Sequence, residues 1–482
     1  MADAKAQLRD LAEGRLGPLL LKLSWPALVS MTLNSLYNVI DSVYIGHGCG
    51  DNALAGITLT FPIMMALGAF GPLIGLGHGA ILSIRLGQRD RVGAEKALGE
   101  CVALKLLLFF VLPPVIFAYL EPIILFVGGS GVTPEALGAA IDYMRIVVWS
   151  HVFSHLAFGL SACMRAEGSA RYSMSCMIVG FGVNLVLDPI FIFGLGMGVK
   201  GAAWATVVAM MASCAWALRF YLSHKSVVRL RMRRIRLYGD MLWRTLGIGL
   251  GPFLQQVSGA AVAASMNMAF KAYLPDVTAV TLEAASAGVF HRVVMTIIMP
   301  VLGVQQGLAP IIGFNWGARS YDRVRRTVLL GVLTTSALTC LACLVAVLAP
   351  RMLVRCFVDS ESVGLIAAAT RDMRLSNCMI WCISLNIVAT TYFQSIGKPK
   401  TAILLSLLRQ VVCLIPCIWL LPLVFEDSAF AVWIAMPVSD VLACVATLPP
   451  FLSHMRFLRA AGLIRARFAR PRPGGPGGHA CA

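Results

Sequence analysis

Apolar residues run through this chain in long stretches separated by short polar breaks, and that pattern predicts membrane-crossing helices. A crossing needs about 20 mostly apolar residues. Twelve stretches meet the requirement, near 19–46, 52–83, 96–118, 138–163, 172–196, 199–222, 244–271, 283–313, 324–348, 365–394, 400–424 and 429–457. The N-terminal residues 1–18 are polar and of mixed charge, and they lead into a long apolar segment with no cleavage site for a signal peptide.

Composition agrees with this pattern. The chain has 482 residues, of which 58% are hydrophobic and 13% charged, against about 25% charged in soluble domains. Only a bilayer can act as solvent for so much apolar side chain.

A net charge of +17 would suggest nucleic acid in a soluble protein. Here the basic residues cluster between apolar runs and fall on alternate sides. One set holds the N-terminus, the even-numbered loops and the tail, including Arg85, Arg89, Arg91, Arg229, Arg231, Arg233, Arg234 and Arg236. The other set holds only Lys200, Lys271, Arg351 and Arg355. Cytoplasmic loops keep positive charge, so a multi-pass protein of the cell membrane with both termini in the cytoplasm is expected, and nucleic acid is not. The 14 cysteines are scattered. Cys340 and Cys343 form an isolated C-x-x-C inside an apolar stretch, which reads as packing. The Gly/Pro-rich tail from Pro471 to Ala482 is expected to be disordered.

The two halves repeat. At an offset of 229 residues, Met144-Arg145 meets Met373-Arg374, Gly168 meets Gly397, and Trp204 meets Trp433. Earlier, Asp90-Arg91-Val92 matches Asp322-Arg323-Val324. Six spans return the chain to its starting side, so the second unit enters the membrane as the first does. The expected fold is all-α: twelve transmembrane helices in two six-helix lobes related by a pseudo-twofold along the membrane normal. The expected division is an N-terminal segment 1–18, an N-lobe 19–222, a basic linker 223–243, a C-lobe 244–458 and a basic tail 459–482. A cavity between two such lobes suits alternating access.

Polar residues inside spans are costly and point to function. Asp41 lies in span 1, within Asn34-Ser35-Leu36-Tyr37-Asn38-Val39-Ile40-Asp41. Span 5 carries Asn184 and Asp188, four apart and on one helical face, and Thr206 lies in span 6. Together they suit a proton or cation site. Pro26 is a candidate hinge in span 1, or a static kink. The second lobe offers Arg292, Arg409 and Asp440, where Asp440 can pair with either arginine structurally or meet substrate. His151 and His155 lie four apart, but without a third ligand nearby they read as packing.

Several motifs together resemble the MATE (multidrug and toxic compound extrusion) family, in its bacterial staphylococcal-type and DinF-like branches. They are Pro26 with Asp41, Gly79-x7-Gly87, Met164-Arg165-Ala166-Glu167-Gly168 and Asn184-x3-Asp188-Pro189. The second half adds Met299-Pro300, the run from Gly307 to Asn315, Arg409-Gln410 and Ser439-Asp440. The resemblance covers nearly the whole chain. It implies cation-coupled export of amphipathic, often cationic compounds by a V-shaped pair of lobes, with H+ or Na+ as coupling ion, no other cofactor and a monomer. It implies that Asp41, Asn184, Asp188 and Thr206 carry the coupling cation, with Tyr37 and Tyr143 as polar neighbours. One departure stands out: where another branch keeps an acid in span 7, this chain has Gln255 and Gln256. These, with Asn34, Tyr37, Tyr143, Arg292, Arg409 and Asp440, are candidate lobe-lining residues.

Three alternatives remain. A major-facilitator transporter also has six plus six helices, but Gly87-Gln88-Arg89-Asp90-Arg91-Val92-Gly93 matches its loop signature only in part. A lipid or oligosaccharide flippase should line its cavity with basic residues, which here sit in loops. An integral membrane enzyme or sensor lacks any nucleophile motif or phosphate-binding loop, so no enzyme is expected.

Overall fold

A computed structural model describes residues 2–49, 51–127, 133–223, 225–358 and 362–469. The Gly/Pro-rich tail from Pro471 lies outside the described residues. The described residues are helical, without strands.

A short helix α1 (Ala2–Glu13) precedes the first lobe. That lobe is built from α2 (Leu16–Cys49), α3 (Asp51–Gly87), α4 (Arg91–Val127), α5 (Pro134–Ala166), α6 (Ala170–Pro189) and α7 (Gly198–Leu222). The second lobe begins with α8 (Gly239–Tyr273), α9 (Val277–Gly317), α10 (Tyr321–Leu348) and the short α11 (Pro350–Arg355). Its span 10 is broken into α12 (Val363–Asn377) and α13 (Ile383–Ser395), bent by 43°. Span 11 is α14 (Pro399–Leu407), a π-helical stretch and α15 (Ile415–Leu420), and span 12 is α16 (Ser428–Ala469).

All twelve apolar stretches are thus helical. Eleven pass a test of length and apolar composition, counting the bent pair as one. The exception is α8, whose apolar run is diluted by Gln255, Gln256, Ser258, Ser265 and Asn267. A 34-residue helix such as α2 spans about 51 Å at 1.5 Å per residue, longer than the roughly 30 Å hydrocarbon core. The chain is a multi-pass membrane protein with its helices in two lobes.

The backbone carries the trace of duplication. Arg89 and Arg319 both have positive φ (62° and 56°), each two residues after the glycine that ends α3 or α9. Gly168 and Gly397, at the 229-residue offset, share φ of 91° and 75°. Left-handed backbone favours glycine, which is why the repeat keeps glycine at that turn.

The lobes meet along a seam that starts at the end carrying the basic loops. A Cβ on Gly249 would lie 1.6 Å from the Leu73 carbonyl oxygen, and one on Gly77 would lie 2.0 Å from that of Thr245. Further toward the basic end, a Cβ on Gly87 would meet Phe314 O at 1.9 Å, and one on Gly317 would meet Ile84 O at 2.1 Å. Backbones approach this closely only where side chains are absent. Ser83 Oγ also donates across the seam to Pro310 O at 3.0 Å.

The segment between the lobes is not a free linker. Glu167, at the end of α5, is fully buried. It accepts from Ser226 Oγ at 2.9 Å, Val227 N at 3.1 Å and Val228 N at 3.3 Å. Burial pushes its carboxyl up to about 8. Glu95 pairs with Arg231 and Arg234, and Glu100 accepts from Tyr238 N at 2.7 Å. Three carboxylates of the first lobe therefore strap this basic segment down.

Candidate functional site

Four helices of the first lobe bring the predicted polar residues together. On α6, Asn184 and Asp188 stand one turn apart, and Asn184 Nδ2 donates to Asp188 Oδ1 at 3.0 Å. Pro189 ends the regular helix and a π turn, Ile190–Gly194, follows. Proline cannot donate its nitrogen, and π turns recur at functional sites. The α2 helix packs against α6 and α7. Tyr37 Oη lies 2.9 Å from Thr206 Oγ1, linking α2 to α7. Asp41 follows Tyr37 by one turn on α2. Tyr143 of α5 is buried near them. Asn34 is on the same helix with an exposed side chain.

Two carboxylates lie here in a low-dielectric interior. Asp188 is 0% exposed. Its Oδ2, like Oδ1 of Asp41, is buried without a hydrogen bond among the described residues. Neither acid forms an ion pair with a lysine or arginine among the described residues. A buried charge without a counter-charge is expensive, so this site favours whatever neutralises it. A proton on either acid, or a small cation among carboxylate, amide and hydroxyl oxygens, fits that chemistry.

In the second lobe Asp440 pairs with Arg409, Oδ1 to Nε at 2.6 Å. Arg409 sits in the π-helical stretch Leu408–Leu414, where the widened turn displaces side chains from the regular helical register. Arg292 is exposed on α9 and forms no ion pair among the described residues. Gln256 Nε2 donates across the seam to Met65 O at 3.2 Å, while Gln255 is exposed. Pro26 lies inside α2.

A second polar group in this lobe escaped the sequence reading. Arg371 of α12 bridges Glu283 of α9 at 2.6 Å and its neighbour Asp372 at 2.9 Å. Trp433 Nε1 donates to Glu283 at 2.7 Å, and Ser286 Oγ donates to Asp372 at 2.5 Å. Glu283 is the first residue of its predicted span, so its position alone did not mark it as an acid inside the membrane. The same rule that selected Asp41, an ionisable residue in an apolar run, also selects Asp372. Both acids share the Arg371 counter-charge, which the first-lobe pair lacks among the described residues.

Two candidate pairs remain. His151 and His155 place their rings 5.6 Å apart beside Lys105, around a water-sized cavity of about 10 Å³. No group of three potential metal ligands occurs among the described residues. Cys340 and Cys343 are free thiols.

The sequence profile of the MatE family matches residues 26–190 and 260–420, one segment in each lobe. The multidrug export protein MepA of Staphylococcus aureus strain MRSA252 is 24% identical over 438 residues, covering 90% of this chain and 93% of that protein. Its counterpart from Staphylococcus haemolyticus is 23% identical over 440 residues, covering 91% and 94%. Among solved structures, an outward-facing multidrug resistance MATE transporter superposes with a TM-score of 0.86 at 22% identity, covering 93% of this chain and 98% of that one. A transporter from Pyrococcus furiosus, described as having a binding pocket of reversed polarity, gives 0.83 at 24% identity, covering 93% and 98%.

Proposed function

Because the chain belongs to the MatE family, we propose that it is a secondary multidrug exporter of the cell membrane, driven by proton antiport. Both termini and the basic loops face the cytoplasm, as the distribution of positive charge supports. Its substrates are amphipathic organic cations, the class that a lobe with two uncompensated carboxylates attracts. That uncompensated acid chemistry is the observation that carries the proposal: Asp41 Oδ1 and Asp188 Oδ2 are buried acceptors without donors among the described residues.

The mechanism follows from the cost of that charge. With both acids ionised, the first lobe holds two negative charges and favours a cationic ligand. A proton on Asp41 or Asp188 removes one charge, turns an orphan acceptor into a donor and lets α2 repack against α6 and α7. Drug and proton then favour different conformers, and each promotes the release of the other. The seam at the basic end closes the cytoplasmic mouth in the conformer described. A proton needs no coordination shell, whereas sodium needs several oxygen ligands held together at once.

Vesicles loaded with a fluorescent organic cation test this directly. A pH gradient should drive efflux and a sodium gradient alone should not. The Asp41→Asn, Asp188→Asn double variant should fold and insert but export nothing uphill. Efflux by that variant at the unmodified rate would overturn the proposal.

A further inference from the structure

The N-terminal helix α1 touches both lobes at the mouth that has to open. Its apolar stripe is Leu8, Leu11 and Ala12, spaced for one helical face. Leu11 is 1% exposed and belongs to a core that includes Met164 of the first lobe and Ile311, Ile312 and Val324 of the second. Lys5 and Arg9 face outward.

On the first-lobe side, α1 rests on the turn after α5. Leu11 packs on Gly168: a Cβ there would lie 3.4 Å from Leu11 Cδ1, an ordinary contact. Ser169 Oγ donates to Gln7 Oε1 at 3.0 Å. Lys22 of α2 pairs with Asp10 at 2.5 Å.

On the second-lobe side, the contacts go to the end of α1. The last carbonyls of a helix have no partner within it and carry partial negative charge. Here Asn315, fully buried at the end of α9, donates through Nδ2 to Leu11 O at 3.0 Å. Arg323 of α10 donates through Nη2 to Gly14 O at 2.6 Å. The second lobe thus supplies the C-terminal cap of a helix seated on the first lobe. This also accounts for two features of the sequence that the coupling site leaves unused, Asn315 closing the Gly307–Asn315 run and the turn Glu167-Gly168-Ser169.

We propose that α1 is an intramolecular bolt: by lying across both lobes and taking its C-terminal cap from Asn315 and Arg323, it holds the cytoplasmic mouth shut, and its displacement permits inward opening. The proposal rests on the alternating-access reading, because a bolt needs a mouth that opens. Separation of the lobes pulls Asn315 and Arg323 off the α1 carbonyls and exposes Leu11, so opening and release of α1 are one event.

The test is a distance measurement by paired spin labels at positions 92 and 326, on the basic ends of α4 and α10, in an otherwise cysteine-free chain in nanodiscs. Deleting residues 2–12 should raise the population with the ends apart at least tenfold. Arg323→Gln, at the surface of the contact, should raise it several-fold, and Arg9→Ala, on the outward face, should leave it unchanged. If the deletion fails to fold, Arg323→Gln decides alone. An unchanged distribution in Arg323→Gln, or in a folded deletion, overturns the bolt. The readout needs no transport, so a chain that exports nothing still reports on the helix.

Discussion

Asp41 and Asp188 each keep one buried carboxylate oxygen without a donor among the described residues. An asparagine in either place keeps size and drops charge. Asp188→Asn should therefore insert normally, match or exceed the parent in thermal stability, and lose uphill export. Asp276→Asn, at the N-terminal end of α9 without a side-chain cap bond, should export normally in the same vesicle assay. The second-lobe pair behaves in the opposite way. Asp440 is 3% exposed and bonded to Arg409, which is itself part-exposed, so Asp440→Asn removes a charge-assisted hydrogen bond and should cost about 1.5–3 kcal/mol. Arg409→Asp with Asp440→Arg should recover much of that loss in a thermal melt. Recovery of folding without recovery of export would place the pair on the substrate path. Glu167 gives a pH dependence of known sign. Its carboxyl is raised from an ordinary 4.5 to about 8. The folded form therefore binds the proton more tightly, and the stability it contributes is full below about 4.5 and fades as pH rises through about 8. Hydrogen exchange of the Val227 and Val228 amides, corrected for intrinsic rate, should accelerate over that window and lose its pH dependence in Glu167→Gln. The grouping of Asn184, Asp188, Tyr37 and Thr206 was legible because each is polar within an apolar run. Which acceptors lack donors was not, since that depends on contacts between helices far apart in sequence.

Helix α2 shows what a proline does in a span. Pro26 removes one backbone hydrogen bond and crowds the preceding turn, 15 residues before Asp41 on the same element. Pro26→Ala should stabilise the folded protein by up to about 3 kcal/mol and slow export if the kink moves during the cycle. A melting temperature that rises while export holds its rate would show a static kink. Most elements were legible, because a long apolar run in a bilayer has no backbone solution other than a helix or a barrel. The π stretches at Ile190–Gly194 and Leu408–Leu414 were not, because one extra residue in a turn leaves no mark on hydropathy. The helical form of α1 was marked only by the spacing of Leu8, Leu11 and Ala12, short enough to pass for a polar leader.

At the scale of the whole molecule, two lobes share one core toward the basic end, and a seam of close backbone contacts joins them there. Contact between Gly249 and Leu73, and between Gly77 and Thr245, needs bare glycine on each side. Bare glycine lets such a seam pack tightly when closed. The apolar runs in the sequence placed these glycines on helices, but which of them face the other lobe follows only from how the lobes dock. A methyl on Gly249 has no room, since the Leu73 carbonyl would lie 1.6 Å from it and is backbone that cannot rotate away. Gly249→Ala must therefore part α3 from α8 without altering either acid of the first lobe. Gly259, on the same helix, has nothing within 4 Å of its Cβ position, so Gly259→Ala is the matched control. Ser83 reports on the seam, being 1% exposed and bonded across it to Pro310. In a cysteine-free chain carrying Ser83→Cys, a water-soluble maleimide should label inside-out vesicles slowly. Gly249→Ala should raise that rate at least tenfold, and Gly259→Ala should leave it as it was. Equal rates for the two alanine variants would mean that the glycines do not set the closed state of the cytoplasmic mouth.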